Sequence, residues 1–273
     1  MIDAEILRYY NEGNEENRLR DARRSIEFLR TMDILGRFLP PAPARVLDVG
    51  GGPGIYALAL AEAGYDVTLI DPVPLHLQQA TAASRESDHP LNSVRHGDAR
   101  VLPVDGAEFD AVLMLGPLYH LVEEHDRMQA WREAGRAARP GGLIAAAAVS
   151  RYYTTWEMLS KDKLDLPGAE NLIEAHIDSG QHRYPQRDFR RLFTTAYLHA
   201  PQELADEATT AGHTVQALLA VEGPAKLLPC LAERIQDEPH RAQLLRALRR
   251  LEAESSVLGC SEHIIALATS RHA

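Results

Sequence analysis

At 273 residues, with 45% apolar and 25% charged side chains, the chain has the composition of a globular protein built as one large domain or a domain with an elaboration. Its formal net charge of −10 argues against gripping a nucleic-acid backbone. The opening "MIDAEILRYYNEGNEENRLRD" lacks the apolar core of a signal peptide, "LIAAAAV" is too short to span a bilayer, and Cys230 and Cys260 have no metal-ligand spacing; a cytoplasmic protein with reduced thiols, no membrane contact and no metal is expected.

Residues 1–39 read as mostly helical, with Phe28, Met32, Leu35 and Leu39 on one face, and "PPAPA" at 40–44 ends that segment. Strands and helices then alternate: strand "RVLDV", helix 55–63, strand "DVTLI", helix 74–85, strand "NSVRH", strand "FDAVLML", helix 125–138 and, after "RPGG", strand "LIAAAAV". Met128, Trp131, Gly135 and Ala138 share the inner face of helix 125–138. Strands that are apolar throughout, alternating with helices, imply a parallel sheet covered on both faces.

After Ser150 the pattern changes. Residues 151–199 read as irregular and aromatic, with seven of the sixteen Phe, Trp and Tyr residues: Tyr152, Tyr153, Trp156, Tyr184, Phe189, Phe193 and Tyr197. His176, His182 and His199 lie there too. A subdomain with its own aromatic core and a lid over a ligand pocket are both consistent with this. Alternation resumes with a helix near 201–211, strand "TVQALLAV", helices to about 255 and a last strand "HIIALAT". The expected organisation is a helical cap at 1–44, a nucleotide-binding core at 45–150, an inserted lid at 151–199 and completion of the sheet at 200–273.

The informative stretch is "VLDVGGGPGIYALALAEAGYDVTLID" at 46–71. Gly50, Gly51, Gly52 and Gly54 follow a strand and open a helix, where glycine lets the backbone approach a ligand and helix N–H groups meet a polar group. Asp71 ends the next strand, where an acid reaches ribose hydroxyls. Glycine spacing alone leaves NAD open, since Gly52 to Ala57 satisfies the relaxed dinucleotide pattern. Asp48 weighs against it: a carboxylate two residues before Gly50 repels a pyrophosphate and suits a ligand carrying positive charge. No G-x-x-x-x-G-K-[ST] sequence exists, which excludes a P-loop.

"DVGGGPG" (Asp48, Gly50, Gly52, Gly54), Asp71, "HGDAR", "FDAVLMLGPLYHL" and "ARPGGL" follow one another in an order and at a spacing that resembles the class I S-adenosylmethionine-dependent methyltransferases. That resemblance implies an α/β fold, Rossmann-like and doubly wound, with a mostly parallel seven-stranded sheet, a helical N-terminal extension and a lid inserted after strand five. It implies S-adenosylmethionine as cofactor and S-adenosylhomocysteine as product, held by Asp48, the four glycines, Asp71 with Pro72, Asp98 with Ala99 beside the adenine, and Leu115 with Gly116. Tyr10 and Arg30 on the N-terminal helices match aromatic and basic residues that hold the methionine carboxylate in similar enzymes. The flanks resemble a bacterial small-molecule subgroup.

Methyl transfer from a sulfonium demands in-line positioning, exclusion of water and, for some acceptors, removal of a proton. The loop after strand four, Gly116 to His120, lies where the methyl is expected. His120 is the leading candidate base, because histidine titrates in the useful range, with Tyr119 and the lid residue His182 as further catalytic candidates. Tyr119, His120, Tyr153, His182, Tyr197 and His199 are the expected acceptor contacts. The [DN]-P-P-[FYW] loop of nucleic-acid amino-methyltransferases is replaced by "LGPL", and G-x-S-x-G is absent. The expectation is a methyltransferase acting on oxygen or nitrogen of a small molecule. A peptide or protein methyltransferase and a non-catalytic S-adenosylmethionine-binding protein are the alternatives. The acceptor and the oligomeric state are not readable.

Overall fold

The computed structural model describes residues 4–11, 25–183 and 194–271. Tyr184, Phe189 and Phe193 of the aromatic segment, and 12–24 of the expected helical extension, lie outside the described residues. The core strands are β1 (Arg45–Val49), β2 (Asp66–Asp71), β3 (Ser93–His96), β4 (Phe109–Met114), β5 (Ala138–Val149), β8 (Thr214–Ala220) and β9 (His263–Thr269). They form one sheet in the order β3-β2-β1-β4-β5-β9-β8, parallel from β3 to β5, with β9 antiparallel to both its neighbours. This is the doubly wound, mostly parallel seven-stranded architecture that the motif order implied.

Alternating strand residues feed two cores. Leu47, Val49, Val112 and Met114 point to one side, where Trp131 of α5 (Glu124–Ala137) is fully buried; Val46, Ala111 and Leu113 point to the other, against α2 (Ser25–Phe38) and α3 (Ile55–Glu62). Met128, Trp131 and Gly135 are buried on the inner face of α5, as expected; Ala138 is buried too but is the first residue of β5, one residue past the helix. Helix α4 (Pro74–Glu86) follows β2, with proline at its first turn.

The buried stripe of α2 differs from expectation. Ile26, Arg30, Ile34 and Leu35 point inward, whereas Phe28 is half-buried and stacks on Tyr56 with ring centroids 5.5 Å apart. An apolar-only reading misses this stripe because a buried arginine sits in its middle. The segment after Ser150 is also more regular than its sequence suggests. It forms α6 (Tyr153–Ser160), α7 (Ala169–Ser179) and a ribbon of β6 (Gln181–His182) with β7 (Ala196–Tyr197). The inward positions of the two helices are Thr154, Met158, Ala169 and His176. They carry too little apolar area to produce a recognisable helical period. The C-terminal part contributes α8 (Pro201–Thr210), α9 (Leu231–Gln236), α10 (Glu238–Arg249) and α11 (Ser255–Leu258) around β8 and β9.

Candidate active site

Strand order reverses between β1 and β4, and a cleft of about 330 Å³ opens there, at the carboxyl ends of the parallel strands. Its floor is the turn from β1 to α3. Gly50 and Gly52 have φ of +69° and +58°, so the chain could not take this path with side chains there without strain. Gly51 is required for a different reason: a Cβ on it would lie 2.6 Å from Asp48 Oδ2 and 2.8 Å from Leu69 Cδ1. The amides of Gly50 and Gly51 donate to the Ile70 carbonyl and that of Gly52 to Asp71 Oδ2 (2.8 Å), which pins the turn against β2. Gly54 does not line the cleft; at φ +91° it caps the start of α3 and supports the turn from behind.

Asp48 lies under this turn, 1% exposed, and lines the cleft. Its Oδ2 has no hydrogen-bond partner among the described residues. Burial, with a smaller contribution from the Asp71 charge, raises its pKa from 3.8 to about 7. A buried carboxylate oxygen without a partner is costly unless a donor or cation meets it. The arrangement therefore fits a ligand bearing an ammonium or sulfonium group and does not fit a pyrophosphate.

Asp71 accepts from the amides of Gly52 and Val73 and lies 3.1 Å from His76 Nδ1. His76, on the first turn of α4, is 3% exposed and lines the cleft. The sequence reading missed it; the only signal was its place five residues after Asp71. Pro72, Ala99, Leu115 and Gly116 line the cleft as expected, and so does Asp98. Asp98 is already engaged, however. Arg100 donates to it through Nε (2.8 Å), Nη2 (2.5 Å) and its own amide (2.9 Å), while Nη1 reaches Asp126 (2.8 Å). Burial would raise the Asp98 pKa, but the side-chain and backbone bonds from Arg100 outweigh it and hold the carboxyl below its ordinary value.

The opposite wall carries Tyr119 and His120, on a short 3₁₀ turn after β4. Tyr119 packs on Val149, Ala196 and Leu198 and forms wall. The His120 Nε2 lies 2.6 Å from the Tyr10 hydroxyl, and Tyr10 sits edge-on to both His120 and His76 at 5.3 and 5.1 Å. Tyr10 belongs to α1 (Ala4–Asn11), which presents Ile6 and Tyr10 to the cleft and is tied to the β6–β7 ribbon where Thr195, just before β7, donates to Glu5 (2.9 Å). Arg183 and Thr195 are the residues of segment 151–199 that reach the cleft among those described. Behind this wall, buried Arg127 donates to the carbonyls of Leu121 and Val122 and to Glu207 (2.6 Å), and its guanidinium lies 3.7 Å from the Tyr197 ring centroid.

Several expected site residues are turned elsewhere. Arg30 does not line the cleft; it is fully buried, donates to the Val221 carbonyl and pairs with Asp33 and Glu252, each at 2.5 Å. It is the cation of a structural network, which Arg37 and Arg249 extend. We expect Arg30→Met to lose about 1.5–3 kcal/mol in urea unfolding, since it removes charged hydrogen bonds while Glu252 keeps Arg37 and Asp33 keeps Arg249 as partners. Calorimetric binding of S-adenosylhomocysteine should not change, and a loss of binding without destabilisation would return Arg30 to the ligand site.

His182 lies outside the cleft because the ribbon turns it inward, where its Nδ1 is 3.0 Å from His176 Nε2. His176 in turn meets Thr154 Oγ1 at 2.8 Å, and burial lowers its pKa from 6.5 to about 4. Tyr153 packs behind Tyr119. The Tyr197 hydroxyl contacts Glu203 and Arg151, and fully buried His199 lies 3.3 Å from Glu207. None of these three lines the cleft. Away from it, Glu27, Glu222 and His263 bring ligand-type atoms within 4.8 Å of one another, a grouping that sequence spacing did not flag. Glu222 there already accepts from the Ser261 hydroxyl and the His263 amide.

Residues 46–142 match the family described as "Methyltransferase domain". The chain is 31% identical over 180 residues to a ubiquinone biosynthesis O-methyltransferase of Methylobacterium nodulans, covering 66% of this chain and 63% of that one. It is 38% identical over 106 residues to an uncharacterised methyltransferase of Mycobacterium bovis, covering 39% and 40%. The chain thus spans less than two thirds of the length of the curated relatives it matches. Among solved structures, an S-adenosylmethionine-dependent methyltransferase of Methanosarcina mazei superposes with a TM-score of 0.60 at 16% identity, covering 88% of this chain and 98% of that one. The cyclase SpnF superposes with a TM-score of 0.57 at 19% identity, covering 90% and 82%. At these identities the superpositions establish the fold.

Proposed function

Because the chain belongs to the class I S-adenosylmethionine-dependent methyltransferases, we propose that it transfers a methyl group from S-adenosylmethionine to an oxygen or nitrogen of a small molecule that enters beside Tyr10, Tyr119 and His120. The observation that carries the choice of donor is the partnerless oxygen of Asp48 beneath the glycine turn. When bound, the cofactor supplies a methyl already activated on a sulfonium. Asp48 faces its positively charged end, the turn at Gly50–Gly52 allows close approach, and Asp71 stands at the ribose. Pro72, Ala99 and Leu115 flank the adenine, and Asp98 orders that edge through Arg100. His120 takes the proton that an acceptor hydroxyl or amine must lose, with Tyr10 holding its ring. Tyr119 and Ile6 wall the acceptor and keep water out.

The relatives named for O-methylation favour oxygen over nitrogen. The acidic net charge favours a small acceptor over nucleic acid. Two free cysteines are consistent with a cytoplasmic setting. No helix among the described residues is long and apolar enough to cross a membrane. Incubating the protein with a methyl-labelled donor and a cell extract, then following the label by mass spectrometry, should mark a small hydroxylated metabolite. Label found only in protein or RNA, or no label above a boiled control, would overturn the proposal.

A further inference from the structure

Asp71 has little capacity left for a ligand. Its Oδ2 accepts the Gly52 amide at 2.8 Å, and its Oδ1 accepts the Val73 amide at 2.8 Å and faces His76 Nδ1 at 3.1 Å. Three N–H groups thus already converge on the carboxylate that stands at the end of β2. The carboxylate can only accept, so in the neutral imidazole the proton of His76 sits on Nδ1 and Nε2 is a bare acceptor. That Nε2 is buried and has no hydrogen-bond partner among the described residues. Its ring lines the cleft, edge-on to Tyr10, and Gly52 is close enough that a Cβ on it would lie 3.9 Å from Nδ1. A buried ring nitrogen of a residue that is 3% exposed and lines the cleft, held in one tautomer by an acid, is a built acceptor for a hydroxyl.

We propose that His76 is a nucleoside contact: its Nε2 accepts a hydrogen bond from a ribose hydroxyl of the bound cofactor, while Asp71 chiefly fixes the glycine turn and the tautomer of His76. The inference rests on the donor assigned above. It divides between two residues the ribose recognition that the motif resemblance gave to Asp71 alone. It also explains why a polar ring occupies the inner side of the first turn of α4, where an apolar residue would pack at lower cost.

Calorimetric titration with S-adenosylhomocysteine and with its 2′-deoxy and 3′-deoxy analogues tests this without any turnover. The wild-type protein should bind one deoxy analogue about tenfold more weakly than the parent, the cost of stranding a buried acceptor. His76→Ala should bind the parent about tenfold more weakly and no longer discriminate against that analogue, because the hydroxyl has lost its partner. If His76→Ala loses the fold, His76→Phe, which keeps an aromatic ring against Tyr10, gives the same comparison. A variant that discriminates among the three ligands as the wild type does, or a wild type that does not discriminate at all, overturns the role of His76 while leaving the donor intact. Failure of the wild type to bind the parent overturns both.

Discussion

Asp48→Asn is expected to remove the pH dependence of cofactor binding. In the ligand-free protein, burial and the Asp71 charge hold the Asp48 carboxyl at about 7, against 3.8 when unperturbed. A cationic group placed against the bare Oδ2 favours the ionised form, so binding below pH 7 must expel a proton. Affinity for S-adenosylhomocysteine, whose ammonium remains, should therefore rise about tenfold from pH 6 to pH 8 and level off above. Heats measured in buffers of different ionisation enthalpy should report the released proton. The asparagine variant should show neither effect, and at pH 8 should bind roughly 10- to 100-fold more weakly, as expected for loss of a charged hydrogen bond. The same pKa fixes the sign for stability. Between 3.8 and about 7 the unfolded chain has released a proton that the folded, ligand-free chain still holds. The contribution of Asp48 to stability is thus complete below 3.8 and is lost as pH rises through about 7. Asp48→Asn should consequently unfold at higher urea than wild type at pH 8 without ligand. A wild-type affinity flat from pH 6 to 8 would rule out a buried carboxyl titrating against the cation.

The second large effect is expected at His120. It stands at the carboxyl end of β4, facing the cleft, with Nε2 2.6 Å from the Tyr10 hydroxyl. Once the labelled-methyl screen supplies an acceptor, His120→Ala should lower kcat by roughly 10²–10⁴, the range of a positioned base. Affinity for S-adenosylhomocysteine should hold, because the turn, Asp48 and Asp71 are untouched. Tyr10→Phe keeps the ring contacts with His76 and His120 but deletes the hydroxyl. It should cost less in kcat, since only the hydroxyl contact with the imidazole is lost. Equal loss of kcat and cofactor affinity in His120→Ala would make the histidine a packing residue.

The parts of this molecule that could be read in advance are those where adjacent residues carry the signal. Strands β1, β2, β4 and the Leu143–Val149 part of β5 are mostly apolar because both faces are buried, whereas the edge strand β3, SVRH, is half-exposed and is carried by its place in the alternation. Asp48, Gly50, Gly52, Gly54 and Asp71 stand within one β-α-β unit, so spacing alone brings them together. The failures share a cause of another kind. Arg30 resembles a surface arginine until Glu252, 222 residues away, is placed beside it. The histidines at 176, 182 and 199 look like chemistry in a lid, yet two meet each other and the third meets Glu207, pairings set by the β6–β7 ribbon and α8. Asp98 was legible as a cleft residue, but not the fork of Arg100 that occupies it. His76 is not legible in the sequence because a single histidine in a helix has no period; its meaning comes from the orientation that Asp71 imposes. Local pattern thus located the glycine-turn side of the cleft. The opposite side is built by α1, the 3₁₀ turn and the ribbon, three elements far apart in sequence.

The most direct test of the central claim, that the cleft between β1 and β4 takes S-adenosylmethionine, is a calorimetric titration of the protein with S-adenosylhomocysteine at pH 8, repeated with NAD. Saturable binding of S-adenosylhomocysteine, competed by S-adenosylmethionine and weakened by Asp48→Asn, with no heat from NAD, is the expected result. Binding of NAD in preference, or no binding of S-adenosylhomocysteine by folded protein, would contradict it.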